Sequence, residues 1–172
     1  MKKQLKLLLA IFLSLVSYSS FASTEIYGHT AAVIDKNLTI NSMLTYAIQD
    51  EYLSHSEYEN IISSFGSFRP FNNIVNAESR HISMLKMAFI NYNLPIPPDN
   101  SMQFIVHPNS IENAYKISID GEIGNIAMYN HFLAESSINL SENKSLQNLF
   151  DTLKNASQRH LQAFQQAYGK SE

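Results

Sequence analysis

The sequence predicts an all-α domain of four long helices, arranged as two antiparallel hairpins joined by one long crossover. Three observations carry that prediction. Only 5 Gly and 5 Pro occur in 172 residues, and long stretches lack both, which favours helices over a many-turned β fold. Four segments each repeat buried-type side chains at alternating spacings of three and four, the seam of a bundle helix. The stretch between the second and third segments, "LPIPPDNSMQFIVHPN" from Leu94 to Asn109, carries four prolines. Sixteen extended residues reach about 53 Å, whereas a helix of about 25 residues is about 37 Å long, so this link can run the length of a bundle. The other two links are short and must join antiparallel neighbours.

The N-terminus stands apart from the bundle. Lys2, Lys3 and Lys6 precede the apolar run "LLLAIFLSLV", and small residues follow around Ser20-Phe21-Ala22. That order is expected of a secretory signal peptide over residues 1–22. The run is short for a membrane span and no second one follows, so no membrane association is expected after cleavage. The expectation is an exported chain, periplasmic or secreted, with an N-terminal extension over 23–38 and one helical domain over 39–170. Cysteine is absent, which excludes disulfides, thiolate metal sites, cysteine nucleophiles and lipid attachment through cysteine. Without the three signal lysines, 9 basic side chains face 15 acidic ones, a net charge near −6. An acidic chain without a basic run is a poor nucleic-acid binder. No Gly-x-Ser-x-Gly elbow is present, and the Ser/His pairs lack the pattern that nucleophilic hydrolysis requires.

The first segment runs from Ile40 to Phe65 without Pro or Gly. Its seam is Ile40, Leu44, Ala47, Glu51, Ser54, Tyr58, Ile61 and Phe65, with Gly66 as the stop. The second segment follows Pro70 and repeats the rhythm at Phe71, Ile74, Glu78, His81, Leu85, Ala88 and Tyr92. The third is expected to start at Asn109 with Glu112 reaching back to cap it. Its seam is Ile111, Tyr115, Ser118, Glu122, Ile126, Tyr129 and Leu133. Gly121 and Gly124 each cost about 1 kcal/mol inside a helix, and either close packing or room for ligands beside Glu122 accounts for them. The fourth segment follows Ser141, with a seam at Leu146, Leu149, Leu153, Ala156, His160, Phe164 and Ala167.

Every seam thus contains polar residues near its middle: Glu51, then Glu78 with His81, then Glu122, then His160. Glu-x-x-His alone arises by chance in about one such chain in three; its phase with Ile74 and Leu85 gives it weight. Three buried, unpaired carboxylates would overwhelm a stability of about 5–15 kcal/mol, and the seams contain no Lys or Arg. A positive partner is required. Two neutral imidazoles and three carboxylates form a nitrogen and oxygen donor set for one or two divalent ions. A metal-free hydrogen-bond network is the alternative. Tyr58 and Tyr129, each seven residues after a seam glutamate, are expected to hydrogen-bond ligand carboxylates. His55 reads as a nearby or surface histidine, with ligation the less favoured reading. Asp50 and Glu57 fall off the seam and are expected to be solvated. His29, His107 and His131 receive no chemical role.

Glu51, Glu78-Ser79-Arg80-His81, Glu122 and His160 resemble, in order, the ligand pattern of the ferritin-like di-iron carboxylate proteins. The stretches "DEYLSHSEY", "FNNIVNAESRHISML", "AYKISIDGEIGNI" and "NASQRHLQAF" resemble the bacterial family catalogued as domain of unknown function 2202. The resemblance spans about Leu44 to Tyr168. It implies a ferritin-like four-helix bundle with a metal site at Glu51, Glu78, His81, Glu122 and His160. The cofactor it implies is iron, two ions by the family pattern, with manganese or zinc compatible. Dioxygen or peroxide would be the reactant, as in ferroxidase- or peroxidase-like chemistry. The alternative function is non-catalytic metal binding, buffering, or a structural bundle holding a single or non-iron metal. A homodimer is compatible with such a bundle, although no sequence feature demands one. One departure stands out: where the pattern carries a second Glu-x-x-His, this chain has Ser157-x-x-His160, leaving room for two asymmetric ions with water between, or for one firmly held ion.

Overall fold

Thr39 begins the first long helix by exchanging two hydrogen bonds with Ser42. Its hydroxyl accepts from the Ser42 N–H at 3.0 Å, and the Ser42 hydroxyl accepts from the Thr39 N–H at 2.8 Å. This is a capping box with serine in the place usually held by Glu or Gln. In the computed structural model, which describes residues 26–136, 138–140 and 142–170, five α-helices and one 3-10 turn form the domain, and the described residues contain no strand. The signal-peptide segment at 1–22 lies outside the described residues. The helices are α1 (His29–Ala32), α2 (Ile40–Phe65), α3 (Phe71–Asn91), α4 (Ile111–Ala134) and α5 (Lys144–Tyr168). The 3-10 turn, Ser101–Gln103, interrupts the long crossover.

Side-chain pairing fixes the directions of the helices. Glu51 of α2 meets Tyr129 of α4, and Tyr58 of α2 meets Glu122 of α4. Advancing along α2 therefore means retreating along α4, so these two are antiparallel. Helices α2 and α3 form one hairpin and α4 and α5 the other. It follows that α3 and α4 run the same way, and the crossover must return the chain along the bundle. Two apolar clusters fill the interior. One is built around Leu44, Ile48, Leu85, Phe89, Phe132, Phe150 and Leu153; the other gathers Ile61, Phe71, Ile74, Tyr115 and Phe164. The polar seam residues lie between them along each helix. No helix among the described residues is long and apolar enough to cross a membrane.

Several local expectations change. Helix α4 is capped by Ser110, whose hydroxyl accepts from the Asn113 N–H at 3.0 Å; Glu112 instead pairs with Lys116 one turn on. Helix α5 begins at Lys144 after Asn143, and Ser141 lies outside the described residues. The α4 seam slides by one residue beyond Glu122. Asn125 and Phe132 are buried while Ile126 and Leu133 are only half-buried, and Ile111 is exposed. Asp50 and Glu57, expected in solvent, are buried. The Asp50 carboxylate accepts from the His29 backbone N–H at 2.8 Å and lies 2.6 Å from the His29 ring nitrogen Nδ1. Glu57 accepts from the Val106 N–H at 3.2 Å. The N-terminal segment and the crossover thus cover a face of α2 that helical periodicity assigns to water.

The two α4 glycines separate in meaning. A Cβ on Gly124 would lie 2.5 Å from Cδ2 of His29, so the histidine ring occupies the place of a side chain. A Cβ on Gly121 would meet nothing within 4 Å. Close packing therefore explains Gly124. Gly121→Ala is predicted to stabilise the protein by about 1 kcal/mol through helix propensity. Gly124→Ala is predicted to lose that gain and destabilise, because His29 must move away from Asp50. Urea-unfolding midpoints of the two variants should shift in opposite directions.

Candidate metal centre

Glu51, Glu78, His81, Glu122 and His160 all meet midway along the bundle, one or two from each long helix. All five are at least nine-tenths buried. His81 Nδ1 lies 2.7 Å from Glu78 Oε2 and 3.1 Å from Glu51 Oε2. His160 Nδ1 lies 3.0 Å from Glu78 Oε1 and 3.3 Å from Glu122 Oε1. The two carboxylate oxygens of Glu78 therefore face one histidine each, and the imidazole rings lie nearly parallel with centroids 5.7 Å apart. Two groups of three result, Glu51–Glu78–His81 and Glu78–Glu122–His160, and in each the donor atoms lie within 4.8 Å of one another.

The tyrosines cross between the halves. The Tyr58 hydroxyl, from the helix of Glu51, donates to Glu122 Oε1 at 2.8 Å. The Tyr129 hydroxyl, from the helix of Glu122, donates to Glu51 Oε1 at 2.7 Å. Each bond fixes a carboxylate rotamer from the opposite helix; Glu51 turns its other oxygen, Oε2, to His81, whereas Glu122 shows Oε1 to both Tyr58 and His160. Burial, reinforced by the neighbouring carboxylates, holds both hydroxyls protonated far above their ordinary range.

No lysine or arginine pairs with these carboxylates among the described residues, so protons must balance the charge when no ion is present. Burial pushes Glu51 up to about 7, with the adjacent Glu78 charge adding to the effect. Glu122 is also raised by burial. For Glu78, burial acts upward but is outweighed by His160 and His81, and its carboxyl is held below the usual value. Burial alone would lower both histidines. Glu51 and Glu78 outweigh it for His81, raising it to about 10, and Glu122 and Glu78 do the same for His160, raising it to about 9.

A metal ion fits these residues better than protons do in one half of the centre. His160 Nδ1 and Glu122 Oε2 are buried and have no hydrogen-bond partner. The nitrogen is close to two carboxylate oxygens yet aligned with neither. An ion shared by this nitrogen and the neighbouring oxygens would satisfy it. Ligand atoms at about 2.1 Å from one ion lie about 3.0–3.4 Å apart, which is the spacing seen around His160. The buried Glu/His cluster can thus hold a metal ion, and its nitrogen and oxygen donors suit iron, manganese or zinc.

His55 stays outside the cluster, facing Glu59 at 3.6 Å. Asn125, one turn after Glu122, is buried with an unpartnered Oδ1. Periodicity placed Ile126 there instead; the spacing Glu122, Asn125, Tyr129, Phe132 would have pointed to Asn125. A separate cavity of about 390 Å³, lined by Asp50, Ser54, Glu57, Phe104, Asp120 and Gly121 among others, contains none of the five clustered groups. No family model, curated protein or solved structure matches this chain.

The linkage between charge and folding has a definite sign. Glu51, Glu57, Glu122, His81 and His160 all hold protons more tightly folded than unfolded. Groups raised in this way contribute stability that is full below their unfolded pKa and lost as pH rises through the folded one. Glu51 and Glu57 act from 4.5 to about 7, Glu122 acts upward from 4.5, and the histidines act from 6.5 to about 9–10. Glu78, being lowered, acts oppositely and only below 4.5. Metal-free protein is therefore predicted to lose stability steadily from about pH 5 to about pH 9, read as a falling urea midpoint. A flat or rising profile would contradict this charge accounting.

Proposed function

We propose that this chain is an exported, ferritin-like metal-binding protein whose centre holds two iron ions and reacts with dioxygen or peroxide. The observation that carries the reading is the pair of buried Glu/His triads sharing Glu78. The resemblance of the ordered ligands to the ferritin-like di-iron proteins supports the same reading. So does the bundle of two hairpins joined by a full-length crossover, a connectivity found among ferritin-like folds.

In this reading Glu51, Glu78, His81, Glu122 and His160 would hold the ions, with His81 and His160 as the nitrogen ligands and Glu78 the carboxylate common to both groups. Iron bound there would supply redox chemistry toward dioxygen or peroxide, with any unfilled coordination position open to the oxidant. The chain's own residues do the rest. Tyr129 and Tyr58 hold Glu51 and Glu122 through one oxygen each, so metal loading requires little side-chain reorganisation. The apolar clusters on either side exclude bulk water. Binding must displace the protons that balance the empty cluster, so affinity rises with pH. The 172 residues contain no cysteine, so none of them can hold a thiolate-bound iron that would feed electrons to the site.

A second reading, a bundle holding one redox-silent ion, draws on the asymmetry of the centre. His81 already has hydrogen-bonding carboxylates on both sides, whereas the unpartnered atoms belong to His160 and Glu122. Metal analysis after anaerobic loading separates the two. About two irons per chain, with an absorption that changes on oxidation, supports the first reading; one zinc or other redox-silent ion favours the second. Glu78→Ala is predicted to reduce bound metal to below half in either case, because Glu78 belongs to both triads. Undiminished binding in that variant would overturn the site assignment.

A further inference from the structure

The cavity apart from the metal centre has the features of a second binding site. Asp50, Ser54 and Glu57 of α2 line it at helical spacings of four and three, and Asp120 and Gly121 of α4 line it beside them. Segments distant in sequence supply the rest, among them Tyr27 and Phe104, whose rings stack with centroids 4.3 Å apart. The volume of about 390 Å³ falls within the range of about 300–1,000 Å³ typical of small-molecule pockets. Gly121 leaves room at the α4 side, since a Cβ there would meet nothing within 4 Å.

Its lining is acidic. Asp50, Glu57 and Asp120 bring carboxylates, and no Lys or Arg is among the described residues around it. The one base, His29, is already engaged by Asp50 at 2.6 Å. Glu57 is buried, and its Oε1 accepts from the Val106 N–H. Its Oε2 has no partner, yet is not among the fully enclosed unpartnered atoms, so it faces the cavity it lines. Ser54 repeats the pattern: it is nine-tenths buried, and its hydroxyl has no hydrogen-bond partner among the described residues but is not enclosed. Burial pushes Glu57 up to about 7 against the pull of the Val106 N–H, as expected of a carboxyl without an ion-pair partner.

Spacing decides the kind of cation that fits. No three of His29, Asp50, Glu57 and Asp120 bring donor atoms within 4.8 Å of one another, so they do not close around a bare metal ion. An ammonium group presents several N–H donors, which suit a carboxylate and a hydroxyl one helical turn apart. Leu53, Ile117 and Phe104 offer apolar surface beside them. We propose that this cavity binds a small primary amine, its ammonium group held by Glu57 and Ser54 and its hydrocarbon body resting on Leu53, Ile117 and Phe104. The site is independent of the metal reading, because none of the five clustered residues lines it.

Calorimetric titration of the purified protein with phenethylamine, beside its neutral analogue phenethyl alcohol, tests this at about pH 8, where the amine is charged. The wild type is expected to bind one amine per chain, and the alcohol at least about tenfold more weakly, the size of one lost charge-assisted hydrogen bond. Glu57→Gln keeps an acceptor for the Val106 N–H but removes the charge, and should weaken the amine by about tenfold. Gly121→Leu places a side chain in the cavity and should abolish binding, with circular dichroism confirming its helices. Should that variant fail to fold, Glu57→Gln decides. No saturable amine binding by the wild type would overturn the proposal, as would equal affinity for amine and alcohol. Amine affinity unchanged in Glu57→Gln, or in a folded Gly121→Leu, would overturn it as well.

Discussion

Three glutamates buried together, with no lysine or arginine paired to them among the described residues, set the terms for the rest of the molecule. Each carboxylate would cost several kcal/mol if left charged and unpaired, and the whole fold is worth only about 5–15 kcal/mol. Compensation therefore has to come from within the cluster: two histidines, two tyrosine hydroxyls, and either protons or metal. Every long helix contributes to it, and the two apolar clusters lie on either side of it. When empty, the centre is held by protons that would otherwise leave near neutral pH. A metal ion held there would replace those protons, which would couple binding to folding.

The crossed tyrosines tie the hairpins together at the same place. Glu51 depends on a hydroxyl from α4 and Glu122 on one from α2. Neither hairpin can position its own carboxylate alone, so correct docking of the hairpins and correct assembly of the centre are one event. The same crossing leaves one oxygen of each carboxylate, Oε2, without a tyrosine bond. Glu78 then spans both halves, and its missing counterpart at Ser157 gives the centre a direction.

Much of this was legible in the sequence, because helix periodicity reports which residues share a face. The bounds of α2, the four polar interruptions, the tyrosine contacts and the need for a long crossover all follow from spacing and length. What the pattern missed shares one physical cause. Asp50 and Glu57 lie off the seam, and only residues distant in sequence, His29 and Val106, bury them; periodicity records a helix's own faces and not what a loop covers. On α4, Ile126 and Leu133 match the spacing as well as Asn125 and Phe132 do. Packing against a partner helix decides between registers one residue apart. The Thr39 cap escaped notice because serine, not glutamate, completes the box. Gly124 could be read either way until the His29 ring was found against it.

Anomalous diffraction from crystals of metal-loaded protein, collected at the absorption edge of the bound ion, tests the central claim most directly. The account predicts two anomalous peaks within bonding distance of the Glu78 carboxylate, one beside Glu51 and His81, the other beside Glu122 and His160. Metal found only at surface carboxylates, with His81 and His160 still resting against the glutamates, would contradict it.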